Sequence, residues 1–210
     1  MRTLVIDTAT AACSVALIDS GRVLARAHDI VGRGHAERLI PMIAELPDGG
    51  RAARILVDVG PGSFTGVRVG IAAARGLALG WGVAATGYSS VTLIAAAGFA
   101  RRDLSELAVV LEGGHGEVFM QLFAPNADTP GARAITPLAS RQPAAALALL
   151  GPRPAVGNGV HRLLALDPAI DAEEVLPDAA DAILLADEPL PPTPIYGRAP
   201  DAKLPGGVVP

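Results

Sequence analysis

The chain opens with short apolar runs that give way to segments of helical periodicity. "TLVID" (Thr3–Asp7) is a brief apolar run closed by a carboxylate and predicts a buried strand. "ACSVALID" and "RVLARAHDI" flank Asp19-Ser20-Gly21, a tight hairpin signal between two strands. In "GHAERLIPMIAEL" the residues His35, Leu39, Met42, Ile43 and Leu46 recur at helical spacing. Pro41 inside that segment predicts a kink or a late helix start. "RILVDV" then predicts a strand, Thr65–Gly80 a helix, "GVAATG" a short strand and Ser89–Ala100 a further helix.

The second half repeats this order loosely. "ELAVVLEG" and "GEVFMQLF" predict strands around a Gly113–Gly114 turn, and "ARAITPL" a third. Arg141–Leu150 predicts a helix, "RPAVGNG" a strand end and Ala179–Leu185 another helix. Two halves of three strands followed by alternating helix and strand predict an α/β fold with a duplicated ribonuclease-H-like unit, the architecture of the actin and Hsp70 superfamily. The expected division is an N-terminal lobe over 1–103, a smaller lobe over 104–188 and a proline-rich tail over 189–210. Seven prolines between Ala186 and Pro210 argue against a helix there. The tail is expected either to be mobile or to lie extended across the body, anchored by Ile195 and Tyr196.

Composition narrows the chemistry. Of 210 residues half are hydrophobic yet only 3% aromatic, so the core must be built from small aliphatic side chains. A net charge of −4 gives no whole-protein field that would draw in nucleic acid or an anionic membrane. Cys13 is the single cysteine, which excludes an internal disulfide; it stands in an apolar run as a buried small hydrophobe. The only lysine is Lys203, so neither a Walker loop nor a strand-borne kinase lysine exists here. Asp7 interrupts the opening apolar run, and Arg68 and Arg75 break the long apolar region 67–85. Neither an export signal nor a membrane span is expected, and the expected location is the cytoplasm.

Two segments could carry chemistry. "DTAT" (Asp7–Thr10) follows a strand and could hold a hydrated magnesium ion near phosphates, or simply close a turn. "GPGSFTG" (Gly60–Gly66) lies between a strand and a helix, where an anion would meet the helix dipole, and where Ser63 or Thr65 could serve as N-cap. Beyond it Gly66, Gly70 and Ala74 recur every four residues, as do Ala72, Gly76 and Gly80. Each set lies on one helix face, and interior glycine is costly, so close backbone approach by another helix is expected. His28, His35, His115 and His161 lack metal-site spacing. "GYSSV" lacks the final glycine of a nucleophile elbow, which leaves Ser89 as an expected N-cap.

Taken together, "IDTATAACSVALID", "GHAERLIPMI" and above all "GPGSFTGVRVGIAAARGLALG" resemble the TsaB family, also called YeaZ. The resemblance is nearly uninterrupted over residues 1–98 and patchy beyond, with "GEVF" and "PIYGRAPDAKLP" as later landmarks. It implies a two-lobed actin-like fold and a non-catalytic scaffold and activator subunit in tRNA threonylcarbamoyladenosine biosynthesis. Such a subunit binds a TsaD-type transferase, is joined by a TsaE-type ATPase, self-associates when alone, and meets tRNA mainly through the complex. It implies no catalytic residue, metal or cofactor of its own, with ATP and magnesium entering only through partner subunits. Carried onto this chain, the partner face would comprise His35, Leu39, Met42 and Ile43 from one helix and Val67, Gly70, Ile71 and Ala74 from the next. Asp7, Thr8, Thr10, Gly60, Gly62 and Ser63 would form a vestigial phosphate site.

Three departures stand out. The stretch from the first helix to the GPG turn is short, "LEGGHGEVF" has Glu112 and His115 where the family carries an Asp-x-Arg pair, and "PIYGR" has glycine where leucine is usual. The rival expectation is an ATP-dependent phosphotransferase or hydrolase of the same fold, using Asp7 and the Gly60–Gly66 loop.

Overall fold

The structure, a computed structural model, describes residues 1–186 and 188–195. The first lobe begins with a meander of β1 (Thr3–Asp7), β2 (Ala12–Asp19) and β3 (Arg22–Ile30). The hairpin between β2 and β3 turns at Ser20 and Gly21, with φ of 49° and 74°. Two positive φ values match the turn to the strand twist. After α1 (His35–Glu45) come β4 (Arg54–Asp58), α2 (Phe64–Trp81), β5 (Ala84–Tyr88) and α3 (Ser90–Arg101). The sheet order is β3-β2-β1-β4-β5, antiparallel in the meander and parallel from β1 through β4 to β5. Helix α1 starts at His35 and carries Pro41 inside it, so the proline does not delay the start. Ser63 Oγ caps α2 by accepting from Gly66 N at 3.2 Å, and Gly82 ends the helix in the left-handed region.

The second lobe repeats the plan. It contains β6 (Leu107–Glu112), β7 (Val118–Pro125), β8 (Ala132–Ala134), β9 (Ala139–Arg141), α4 (Pro143–Leu150), β10 (Ala155–Val156), α5 (Val160–Leu164) and β11 (Ala172–Glu173). Its sheet runs β8-β7-β6-β10-β11, with β9 also on β7. Three antiparallel strands and two parallel ones recur in the same positions, which makes the duplicated ribonuclease-H-like fold plain.

Packing follows from strand alternation. On β1, Leu4 and Ile6 point to the side covered by α1 and α2, while Val5 points to the opposite side. On β6, Ala108 and Val110 meet α4 and α5, whereas Leu107, Val109 and Leu111 meet Val91, Ile94 and Ala95 of α3. The layers therefore stack as α1/α2, first sheet, α3 with a 3-10 turn at Ala179–Leu184, second sheet, α4/α5. That 3-10 turn, expected as a longer helix, packs against Val5, Ala16 and Tyr88 of the first lobe. The chain has thus returned to the first lobe before residue 188.

Residues 188–195 continue along that lobe as an extended strap. Leu190 exchanges both backbone hydrogen bonds with Gly87 on the outer edge of β5, and Ile195 N donates to Val59 O at 2.7 Å. Ile195 packs against the first core. Tyr196 and the remaining tail positions lie outside the described residues.

Candidate functional site

The GPG turn and the DTAT turn meet at the parallel ends of β1 and β4, and they face each other. Ser63 N donates to Ala9 O at 2.7 Å, and Thr8 Oγ1 donates to Gly66 O at 2.8 Å. A Cβ at Gly62 or Gly66 would collide with the carbonyls of Ala9 or Thr8, and one at Gly70 with Thr8 Oγ1. The inward stripe Gly66–Gly70–Ala74 therefore does permit a close approach, but the approaching group is the chain's own β1–β2 turn.

The six expected phosphate-site residues are brought together, and their hydrogen bonds go to neighbouring residues of the same two turns and of the strand ends. Gly60 N is taken by Asp58 Oδ1 at 3.0 Å, and Gly66 N by Ser63 Oγ. Thr10 Oγ1 accepts from Ala12 N at 3.2 Å. Of the six, Thr10, Gly62 and Ser63 line a cleft of about 420 Å³ between the lobes. Its far wall holds Leu111, Glu112, Phe119 and Asn158. Glu112 is the one charged side chain lining it among the described residues, and Arg162 approaches that carboxylate at 3.3 Å. A polyphosphate entering here would meet a carboxylate where a working cradle supplies cations.

Behind the turns lies a buried acidic cluster that the motifs did not announce. The register sets Ile6 beside Val57 and Asp58 beside Tyr88, so Asp7, Asp58 and Tyr88 end adjacent strands together. Tyr88 OH donates to Asp7 Oδ2 at 2.8 Å, and Ala9 N donates to Asp7 Oδ1 at 3.3 Å. Asp58 Oδ1 accepts from Ser90 N at 2.8 Å, while its Oδ2 is buried with no partner among the described residues. Burial lifts the Asp7 carboxyl from 3.8 to about 6. Burial, then the Asp7 charge, hold Asp58 well above the usual carboxylate range. The expected N-cap Ser89 sits at that position, but its hydroxyl donates to Gly60 O at 2.8 Å, and the carboxylate of Asp58 receives the first amide of α3 instead.

The residues expected at a partner face also need correcting. His35, Leu39, Met42, Ile43, Val67, Gly70, Ile71 and Ala74 are all buried in this chain, and their apolar members form the first core with β1, β2 and β4. His35 Nε2 lies 3.1 Å from Ala12 O. What α1 and α2 offer outward is the opposite stripe. Phe64 is 69% exposed, Leu79 86% and Ile40 49%, and beyond the Cα of Gly76 and Gly80 the space is open for 4 Å. Arg68 stacks over the Phe64 ring at 3.3 Å. The signal that separates the two stripes is Arg75, which stands between Ala72 and Leu79 on the outward face. No helix among the described residues is long and apolar enough to cross a membrane, and no three of His, Cys, Asp or Glu gather there into a donor set.

Comparison with known proteins places the chain. The family model described as "TsaD: tRNA N6-adenosine threonylcarbamoyltransferase" matches residues 28–140, more than half of it. The tRNA threonylcarbamoyladenosine biosynthesis protein TsaB of Escherichia coli (strain K12) is 37% identical over 126 residues, 57% of this chain and 53% of that protein. The match thus spans about half the length of that relative. An uncharacterised protein of Mycobacterium tuberculosis (strain H37Rv) is 30% identical over 215 residues, covering 95% of this chain and 93% of its own length. The solved structure of YeaZ from Pseudomonas aeruginosa superposes with a TM-score of 0.76 at 25% identity, covering 93% of this chain and 99% of that one. With the shared two-lobed plan and the GPGSFTG turn in place, this chain belongs to the TsaB (YeaZ) family.

Proposed function

We propose that the protein acts in tRNA threonylcarbamoyladenosine biosynthesis as a non-catalytic scaffold and activator that binds a TsaD-type transferase. The observation that carries this reading is the outward stripe of α2. Ala72, Gly76 and Gly80 form a shallow channel beside the nearly bare Leu79, with Ile40 exposed on the neighbouring α1. A helix can approach such a stripe closely, whereas an isolated chain gains nothing from leaving it bare. The inter-lobe cleft adds support, because the Ser63 amide on its wall is spent on Ala9 O and its lining presents Glu112 rather than cations. A TsaE-type ATPase joins the pair in this reading, tRNA reaches the protein mainly through the complex, and a second copy competes for the same face.

Leu79→Asp is expected to weaken the complex with the transferase by about 2 kcal/mol or more, as for a central interface anchor. The free variant should unfold at the wild-type denaturant concentration, since Leu79 is 86% exposed. Co-purification and titration calorimetry with the TsaD-type protein of the same organism test the first part. Modified-adenosine levels that stay unchanged when the protein is depleted would sink the reading altogether.

A further inference from the structure

The outward stripe of α2 carries two charged side chains, Arg68, which stacks over Phe64, and Arg75, which stands beside the Ala72–Gly76–Gly80 channel. Arg75 follows Ala74 on the helix, precedes Gly76, and lies four residues before Leu79, so its guanidinium could cover the channel that a partner helix needs. It does not lie there. Its Nη2 donates to Pro192 O at 2.7 Å, a contact 117 residues away along the chain. The strap that offers this carbonyl is itself pinned on both sides. Gly87 N donates to Leu190 O at 2.6 Å, Leu190 N to Gly87 O at 2.9 Å, and Ile195 N to Val59 O at 2.7 Å. Open space remains above Gly76 and Gly80.

We propose that the strap over residues 188–195 holds the partner face open by drawing the Arg75 guanidinium aside, so that a helix of the TsaD-type partner can settle on Ala72, Gly76 and Gly80. The inference rests on the function proposed above and adds how that face is kept competent. Arginine stays charged at any physiological pH. Released from Pro192, it folds back over Ala72 and Leu79, and a docking helix must then bury an unpaired cation or displace it. The strap thus belongs to the binding surface without touching the partner at its centre.

The full-length chain provides the test. Gly87→Ala places a methyl group 2.6 Å from Val59 Cγ1 and 2.8 Å from Pro191 O, so that it strains both the core beneath and the strap, which is pushed outward; Ile195→Asp releases the far end of the strap by a separate route. Faster hydrogen exchange at the Leu190 and Ile195 amides reports the release. With Arg75 present, each variant should weaken binding of the TsaD-type protein about tenfold. In an Arg75→Ala background the same strap changes should alter affinity by less than about threefold, the residual expected of uncoupled sites. Equal losses in both backgrounds would mean that the strap contributes contacts of its own and would overturn the gate, as would no loss in either. An unmodified chain that fails to bind the transferase overturns the underlying function instead, and this inference with it.

Discussion

Gly66→Ala is expected to cost about 4 kcal/mol of stability, a loss reserved for changes the core cannot absorb. The added Cβ falls on the carbonyl oxygen of Thr8, and that oxygen belongs to backbone, not to the end of a flexible side chain. Thr8 cannot step back, because its hydroxyl donates to Gly66 O and its neighbour Ala9 accepts from Ser63 N. Moving the turn would therefore break the contacts that dock α2 on the sheet. A marginally stable domain has about 5–15 kcal/mol to lose, so the variant should be largely unfolded or insoluble at 37 °C. Gly76→Ala makes the contrast. It lies ten residues on in the same helix and meets nothing within 4 Å, so the alanine should stabilise by about 0.5–1 kcal/mol through helix propensity alone. Urea denaturation of both variants checks the pair, and two shifts of the same sign would show the stripes to be assigned wrongly.

The second large effect is electrostatic. Asp7→Asn should raise stability by about 3 kcal/mol at pH 8 and by almost nothing at pH 4. Burial raises the folded-state value of Asp7 from 3.8 to about 6. A raised carboxyl favours the folded state while it is protonated, so that contribution is complete below about pH 4. It is lost as the pH rises through about 6, above which the folded chain carries a charge it holds poorly. Asparagine removes the titration and can still accept from Ala9 N, while the Tyr88 hydroxyl can accept from its amide. Removing the Asp7 charge also relieves Asp58, whose carboxyl that charge pushes up. Unfolding midpoints of both proteins across pH 4–8 provide the measurement; a gain independent of pH would refute the assignment. A stabilising substitution at a buried acid marks a group that the fold keeps at a cost to stability.

The long elements were legible because their periodicity is long enough to read. β1 to β5 and α1 to α3 fall within one or two residues of their predicted limits. By contrast β10 and β11 have two residues each and α5 has five, too few for any period to show. The two four-residue stripes of α2 were visible, but their directions were not. Gly66, Gly70 and Ala74 sit among Val67, Ile71 and Ala78, which face the core, while Arg75 and Leu79 flank the bare side. Gly70 therefore lies inside the lobe, where replacement by leucine would overfill the space against Thr8, Val57 and Ile6 before any partner arrived. The acidic cluster escaped for another reason. "TLVID" and "RILVD" share an apolar run closed by aspartate, but only the pairing of Ile6 with Val57 makes the two ends neighbours. That pairing is a property of register, which no single run reveals.

The strap also fixes an order of events during synthesis. β5 is complete by residue 88, yet the rung that closes its outer edge comes from Leu190, about a hundred residues later. While the second lobe is still being translated, the nascent first lobe exposes an unpaired strand edge of the kind that recruits other chains. Leu190 and the prolines around it arrive only after the whole second lobe and seal that edge with a segment poorly suited to pass the pairing on. Ribosome-bound chains stopped before residue 188 should accordingly be the aggregation-prone form, and chains that extend past Ile195 the protected one.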